Sequence, residues 1–294
     1  MAFWRLIRVF WNAWDEHPKE RAKLVLGSVF FPAATREWLA YLKASPHLFK
    51  EASQTPKLAT RIYRPYALRT LNCRERVKHM IQHHELLHHS GWGRLTERSI
   101  HQPLPISAWP MADGSVVTLQ LVSLKDGHRE GETHLQLLWN RDWMFSLTFL
   151  VAQRQGVQQM LVTRLQGAHG QTSSDRIRTV TKALHGLRPV DLLIQVAQHV
   201  ARLLQCQEVL LVSNRQRVAL NPLRRMRIKV DLDKLWQERG AQPTRDGLFA
   251  LEPGVTVRTD FSDVASNKRA QARRRADTLQ QALDAVDAAL QVTR

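Results

Sequence analysis

His84-Glu85-Leu86-Leu87-His88 is the sharpest local pattern in the chain. An H-E-x-x-H run on a helix sets two imidazoles on one face with a carboxylate between them, the arrangement that holds zinc and activates its water. Gly91 stands where the longer zinc-peptidase motif has glycine, but the third ligand of that motif would fall at Arg94. The same stretch also holds His79, His83 and His89, so a match by composition alone comes easily. No catalytic metal is expected. The i,i+4 pairs His79/His83 and His84/His88 suit at most weak binding of a divalent ion.

Ser213-Asn214-Arg215-Gln216-Arg217 is the second constellation, and it directly follows the apolar run Glu208–Val212. Residues beyond the carboxyl end of such a strand often bind ligands. Arg224, Arg225, Arg227 and Lys229 come next. A guanidinium fork binds two phosphate or carboxylate oxygens at once. Ser213, Asn214, Arg215 and Arg217 are therefore candidate ligand-binding residues; a solvated basic loop is the alternative. The third constellation is Asn267-Lys268-Arg269 with Arg273-Arg274-Arg275. Helical spacing puts Lys268, Ala272 and Arg275 on one face and pairs Arg269 with Arg273 on another. A basic helix can lie on nucleic acid, but no zinc-finger or RRM pattern accompanies it, and a solvated face is the favoured reading. There is no dinucleotide-binding glycine motif, no phosphate-binding P-loop, no nucleophile elbow and no calcium loop.

These residues sit in a chain of 294 residues with 43 Lys and Arg against 26 Asp and Glu, a net charge of +17. Charge of that size speaks of partners: an anionic ligand, an anionic lipid or surface component, or, as a weaker choice, nucleic acid. The two cysteines, Cys73 and Cys206, have no close partner and suit a reducing compartment. No apolar stretch is long enough to span a membrane. Met1–Trp14 lacks the cleavage pattern of a secretory signal. As a helix it places Phe3, Ile7, Phe10 and Trp14 on one face, with Trp4 and Trp11 beside them. That face suits either the protein's own core, the favoured reading, or an anionic membrane. A cytoplasmic protein, in the second case peripheral on the inner membrane, is expected.

The elements that must position these groups change character along the chain. Residues 1–110 read as a helical region, with helices at Arg36–Ala44 and Thr70–His89, closed by Gly91 and Gly93, and a proline-rich connector at His101–Pro110. Residues 111–294 read as an α/β unit packed with it. Val116–Leu124, Thr133–Trp139, Trp143–Ala152 and Gln159–Leu165 alternate as four strands of an antiparallel meander, with a turn from Asp126-Gly127 through Gly131. A helix capped around Thr172 and Ser173 runs to Leu184, a break follows at His185–Pro189, and Val190–Leu204 is a clean amphipathic helix. Glu208–Ser213 is a buried strand reached by crossover. Leu232–Arg239 is helical, Gly247–Arg258 a hairpin, and Ser262–Gln291 a closing helix. The fold class is α+β: a helical N-terminal region, then a mixed, mainly antiparallel sheet with flanking helices.

Arg64-Pro65-Tyr66, Leu165-Gln166-Gly167, Thr181 through His185-Gly186-Leu187-Arg188-Pro189, Val212-Ser213-Asn214-Arg215, Asp246-Gly247-Leu248-Phe249 and Ser266-Asn267-Lys268-Arg269 resemble, in order and spacing over roughly residues 25–290, the VirK/YbjX family of bacterial proteins. His83 looks like that family's histidine in its helix. The resemblance implies a role in virulence, in antimicrobial-peptide resistance and in the correct placement of surface proteins in the envelope. The order of strands and helices is similar to a GNAT acyltransferase core, which implies acyl-CoA as cofactor. On that likeness Gln166, Arg188, Ser213, Asn214, Arg215 and Arg217 would line a site for an anionic ligand, with His185 as its base. The usual glycine-rich CoA signature is absent at His185–Pro189, and an insertion precedes it.

Overall fold

The structure, a computed structural model, describes residues 3–111, 114–124, 129–167, 173–218 and 230–291. The turn residues Asp126-Gly127, the cap at Thr172 and the basic positions Arg224, Arg225, Arg227 and Lys229 lie outside the described residues. The fold is α+β. The helical region comprises α1 (Phe3–Ala13), α2 (Pro18–Phe30), α3 (Pro32–Ala44), α4 (Pro46–Gln54), the short α5 (Lys57–Thr60), α6 (Cys73–His89) and α7 (Gly93–His101). Three of these begin on a proline, whose fixed φ and missing N–H suit the first helical position. Helix α6 begins on a capping box: Asn72 accepts from the Glu75 amide at 3.0 Å, and Glu75 accepts from the Asn72 amide at 2.8 Å. Gly91 follows the end of α6, but Gly93 opens a new helix rather than closing the old one.

The sheet follows: β1 (Leu104–Pro110), β2 (Val116–Ser123), β3 (Thr133–Trp139), β4 (Asp142–Arg154) and β5 (Val157–Gly167). All four neighbouring pairs are antiparallel. The segment expected as a connector thus contributes a fifth meander strand. Its prolines are tolerated because β1 is an edge strand with one unpaired side, and its Leu104 and Trp109 are buried. Next come α8 (Ser173–Ala183) and α9 (Pro189–Leu203), then β6 (Glu208–Leu211), which pairs parallel to β5. The chain continues through α10 (Leu232–Gln237), β7 (Gln242–Pro243), β8 (Phe249–Leu251) and α11 (Ser266–Gln291). The strand order among the described residues is β1-β2-β3-β4-β5-β6-β8-β7.

The final hairpin lies earlier than Gly247–Arg258. Thr244 accepts from the Leu248 amide at 3.1 Å and donates to Asp246 at 2.6 Å, and Gly247 takes a positive φ of 75°. Those contacts close the turn between β7 and β8, and Pro253 stops the chain from pairing further. Ahead of α11, the amide and hydroxyl of Ser262 bind Asp260 in a local turn.

Every residue of β4 from Met144 to Ala152 is buried. Both faces of the sheet are therefore covered there, with α6 packed on one and α9 on the other. Strands β5 and β6 stay paired from Gln159 to Val162, after which β5 runs on with β4 alone. The loop after Tyr66 crosses this divergence: Ala67 donates to the Arg129 carbonyl at 2.8 Å and Arg69 to the Gln216 carbonyl at 3.0 Å.

Helix α2 meets the helical core through small residues. Gly27 lies so close to the Tyr63 ring that a Cβ there would stand 2.2 Å from a ring carbon. Gly27→Ala is expected to destabilise the protein by about 1–3 kcal/mol, as overpacking does. Urea unfolding of the two proteins measures it, and a difference under about 0.5 kcal/mol would show that α2 can shift freely.

Candidate functional site

The H-E-x-x-H residues do not converge. Glu85 and His88 face solvent, whereas His84 turns inward to a carboxylate from the sheet region. That carboxylate is Glu132, buried just before β3. It accepts a hydrogen bond from Arg61 Nη2 at 2.7 Å and another from the Tyr66 hydroxyl, and His84 Nε2 lies 3.4 Å away. Burial alone would raise the Glu132 pKa; Arg61 and His84 overcome it and hold the carboxyl well below the usual range. His83, next to it, is also buried. Its Nδ1 accepts from the Val151 amide at 2.9 Å, so Nε2 carries the proton and donates to Thr133 Oγ1 at 3.0 Å. Burial, with His84 nearby, lowers the His83 pKa to about 3. A water-sized void of about 10 Å³ lies among His47, His83, His84, Thr96 and Glu132, too small for a substrate. Among the described residues no cluster could hold a metal ion. This is a buried joint between the helices and the sheet.

The residues singled out in the sequence fall in several places. Gln166 is half-buried in β5, opposite Ser146. Ser213 is buried just beyond β6, where its Oγ accepts from the Gln216 amide at 3.3 Å. Asn214 is fully engaged with the start of α10: its amide donates to Asp233 at 2.7 Å, its Nδ2 to Asp231 at 2.7 Å, and its Oδ1 accepts from the Leu232 amide at 3.1 Å. Arg217 reaches the Val230 carbonyl at 3.3 Å, and Arg215 is exposed. Asn214 and Arg217 thus meet around α10.

The His185-Gly186-Leu187-Arg188-Pro189 segment is a helix reversal. His185 and Gly186 both take positive φ, 54° and 92°. The Gly186 amide donates to the Thr181 carbonyl at 2.7 Å, which closes the end of α8. Pro189 then opens α9, and Arg188 is delivered to the rim of a cleft.

The cleft has a volume of about 430 Å³, within the range of small-molecule sites. One wall is α9, the second is the segment after β8, and the third is α11, which presents Ala272, Arg275, Ala276 and Leu279 at helical spacing. Gln198 holds the first two walls together, since its Nε2 donates to the Glu252 carbonyl at 2.9 Å and its carbonyl accepts from the Gly254 amide at 2.7 Å. The floor is apolar, with Leu187, Ile194, Phe261 and Leu279. Four arginines line the space against a single acid, Asp191. Arg239 neutralises Asp191, with Nε and Nη2 both at 2.7 Å, and Arg258 pairs with Asp263. Among the described residues, Arg188 and Arg275 have no carboxylate partner. The cleft can therefore bind a doubly charged or forked anion beside a small apolar group.

Of the seven residues expected at the site, Arg188 lines the cleft, whereas His185, Gln166, Ser213, Asn214, Arg215 and Arg217 are not among its described walls. Arg239, Arg258 and Asp191 were not anticipated. They lie in separate segments, and no spacing connects them. Arg275 was legible as the partner of Ala272 on one helical face. On the same helix Arg269 is occupied locally, donating to the Val264 and Ser262 carbonyls at 2.8 and 2.9 Å.

A family model described as a protein of unknown function (DUF535) matches residues 13–288. The chain is 27% identical over 265 residues to the uncharacterized protein YbjX of Escherichia coli K12, covering 88% of this chain and 80% of that one. It is 30% identical over 140 residues to an uncharacterized protein of Haemophilus influenzae, covering 47% and 45% of the two chains. No solved structure matches.

The buried imidazole of His83 makes stability depend on pH. Its folded pKa, about 3, lies below the unfolded value near 6.5, so the unfolded chain takes up the proton first. The stability is full above about pH 6.5 and is lost as pH falls toward 3. Between pH 7 and 5, His83 accounts for about 2 kcal/mol of lost stability. Gln can accept from Val151 and donate to Thr133, so His83→Gln is expected to lose about 2 kcal/mol less over that interval. Urea titrations of both proteins at the two pH values read the difference; parallel pH curves would contradict it.

Proposed function

We propose that this chain, which belongs to the DUF535 family, binds an anionic ligand in the cleft between α9 and α11 and acts in maintenance of the bacterial envelope. The carrying observation is the pair Arg188 and Arg275, two guanidinium groups without carboxylate partners on two walls of a space of about 430 Å³. Phosphate or carboxylate is the chemistry that a guanidinium fork binds best. The apolar floor at Leu187, Ile194 and Phe261 favours a ligand that joins this anion to a short apolar part. The resemblance to VirK/YbjX proteins supports a role in surface maintenance and antimicrobial-peptide resistance.

A second reading, acyl transfer, is favoured by the sheet. A meander, a helical crossover to the parallel strand β6, then α10 and a final hairpin with β8 inserted beside β6 resembles the order of a GNAT core. On this reading acyl-CoA enters where β5 and β6 part, near Gln166, Ser213, Asn214, Arg215 and Arg217, and His185 serves as base. Against a large role for these side chains in ligand contact stands the full engagement of Asn214 with α10.

Titration calorimetry with inorganic pyrophosphate and with acetyl-CoA separates the readings. Binding of pyrophosphate that weakens at least tenfold in Arg188→Ala and in Arg275→Ala is expected, since a charge-assisted contact is worth about 1.5–3 kcal/mol. No binding of either probe, or binding unchanged in both variants, would refute the cleft. Acetyl-CoA binding weakened by Arg215→Ala but untouched by Arg275→Ala would favour the acyltransferase reading.

A further inference from the structure

Helix α2 is packed the reverse of an ordinary surface helix. Such a helix turns its large apolar residues to the core and its polar ones to water. Here Gly27, Ser28 and Leu24 face inward, with Gly27 against the Tyr63 ring. Val25, Leu26, Val29 and Phe30 face outward, with Leu26 59%, Val29 62% and Phe30 72% exposed. Phe31, at the joint with α3, continues the surface. Of the eight exposed large hydrophobic residues among those described, seven lie between Trp4 and Phe31.

Helix α1 extends this face by another route. Its Leu6, Ile7 and Phe10, with Trp14 just after it, are buried in the core. Trp4, 62% exposed, and Trp11 lie two turns apart on the flank of that buried stripe, with Arg8 between them. Arg21 of α2 joins the two helices: its guanidinium lies 4.8 Å from the Trp11 ring centre, and its Nε donates to the Trp11 carbonyl at 2.8 Å. One helical turn further on is Val25. Arg21 thus links the Trp4–Arg8–Trp11 stripe to the α2 face; Arg5, Arg8 and Lys19 are exposed cations beside them, while Arg21 is also paired with Asp15.

We propose that this face is a docking surface for an anionic lipid bilayer. The occupant follows from charge and residue type. A second copy of a chain carrying +17 would be repelled, whereas an anionic surface attracts it. Tryptophans and phenylalanines bordered by Arg and Lys are the composition of a segment lying in the membrane interface. No helix among the described residues is long and apolar enough to cross a membrane, so the attachment is peripheral. Its depth is set by Leu26, Val29 and Phe30, and its preference for anionic lipid by the flanking cations.

Co-sedimentation of the full chain with vesicles tests this, using phosphatidylcholine alone and phosphatidylcholine with about 30% phosphatidylglycerol at about 0.1 M salt, where charges are still felt over ~10 Å. Binding to the anionic vesicles is expected at least tenfold stronger than to neutral ones. Leu26→Ser/Val29→Ser/Phe30→Ser is expected to lose at least tenfold of it with an unchanged thermal midpoint. Phe30→Ser alone, expected to lose about a third of that effect on a logarithmic scale, serves if the triple variant does not fold. No binding to anionic vesicles would overturn the proposal. So would equal binding by wild type and variant, which would assign attraction to diffuse charge. A dimer by analytical ultracentrifugation that the triple variant dissolves, without vesicle binding, would make the face a self-association surface instead.

Discussion

A single buried carboxylate, Glu132, fastens the helical region to the sheet. It stands just before β3 and receives Arg61 and Tyr66 from the loop region and His84 from α6. Taking a carboxylate and a guanidinium out of water is costly, and their attraction offsets it only when the remaining polar atoms are also satisfied. The Tyr66 hydroxyl answers that need on the carboxylate side. Any other register of helices on sheet would leave Glu132 or Arg61 buried alone, at a cost of several kcal/mol. The pair therefore selects one docking geometry more than it adds net stability. The neutral His83, bonded to Val151 and Thr133, repeats the same constraint one residue earlier along α6.

The cleft depends on that geometry at one remove. Loop 64–71 is held by Arg129 and Gln216 over the divergence of β5 and β6, on the side of the sheet where α6 lies. Ligand space is left on the other side, where α9 and α11 approach each other without closing. Gln216 couples the two regions: it also binds Thr70 and the Asp246 carbonyl in the β7–β8 turn. The reversal at His185 and Gly186 then sets where α9 begins. Because the chain needs two left-handed residues there, this segment is constrained by backbone shape, and it delivers both Leu187 and Arg188 to the cleft.

Strands and long helices were readable because each carries its own periodicity. Val116–Leu124, Thr133–Trp139 and Val190–Leu204 depend on local periodicity; the second has the same limits in the structure, the first ends one residue earlier and the third shifts by one residue at both ends. Strand β1 was not readable: Pro103, Pro105 and Pro110 read as a connector, and only an edge position makes them compatible with pairing. The site was less legible than the fold. Arg188 could be found because its motif is compact. Arg239, Arg258 and Asp191 come from separate segments, and nothing in their local sequence signals that they meet. Asn214 shows the opposite failure. Its place after an apolar strand suggested a ligand, but its amide N–H and both side-chain polar atoms bind the start of α10.

The first two helices show why amphipathicity alone misplaces a surface. In α1 the strong apolar stripe suggested either a core or a membrane, and the core takes it. In α2 the pattern is weak because glycine and serine occupy the inward side, and a scale of residue hydrophobicity gives them little weight. What decides the orientation is steric. The Tyr63 ring leaves room for no side chain at position 27, so the helix approaches with Gly27 and Ser28 inward beside Leu24, and Leu26, Val29 and Phe30 face out. Apolar residues fixed outward by the packing of their neighbours are a feature of the fold, and α2 is the element of this chain where that feature is strongest.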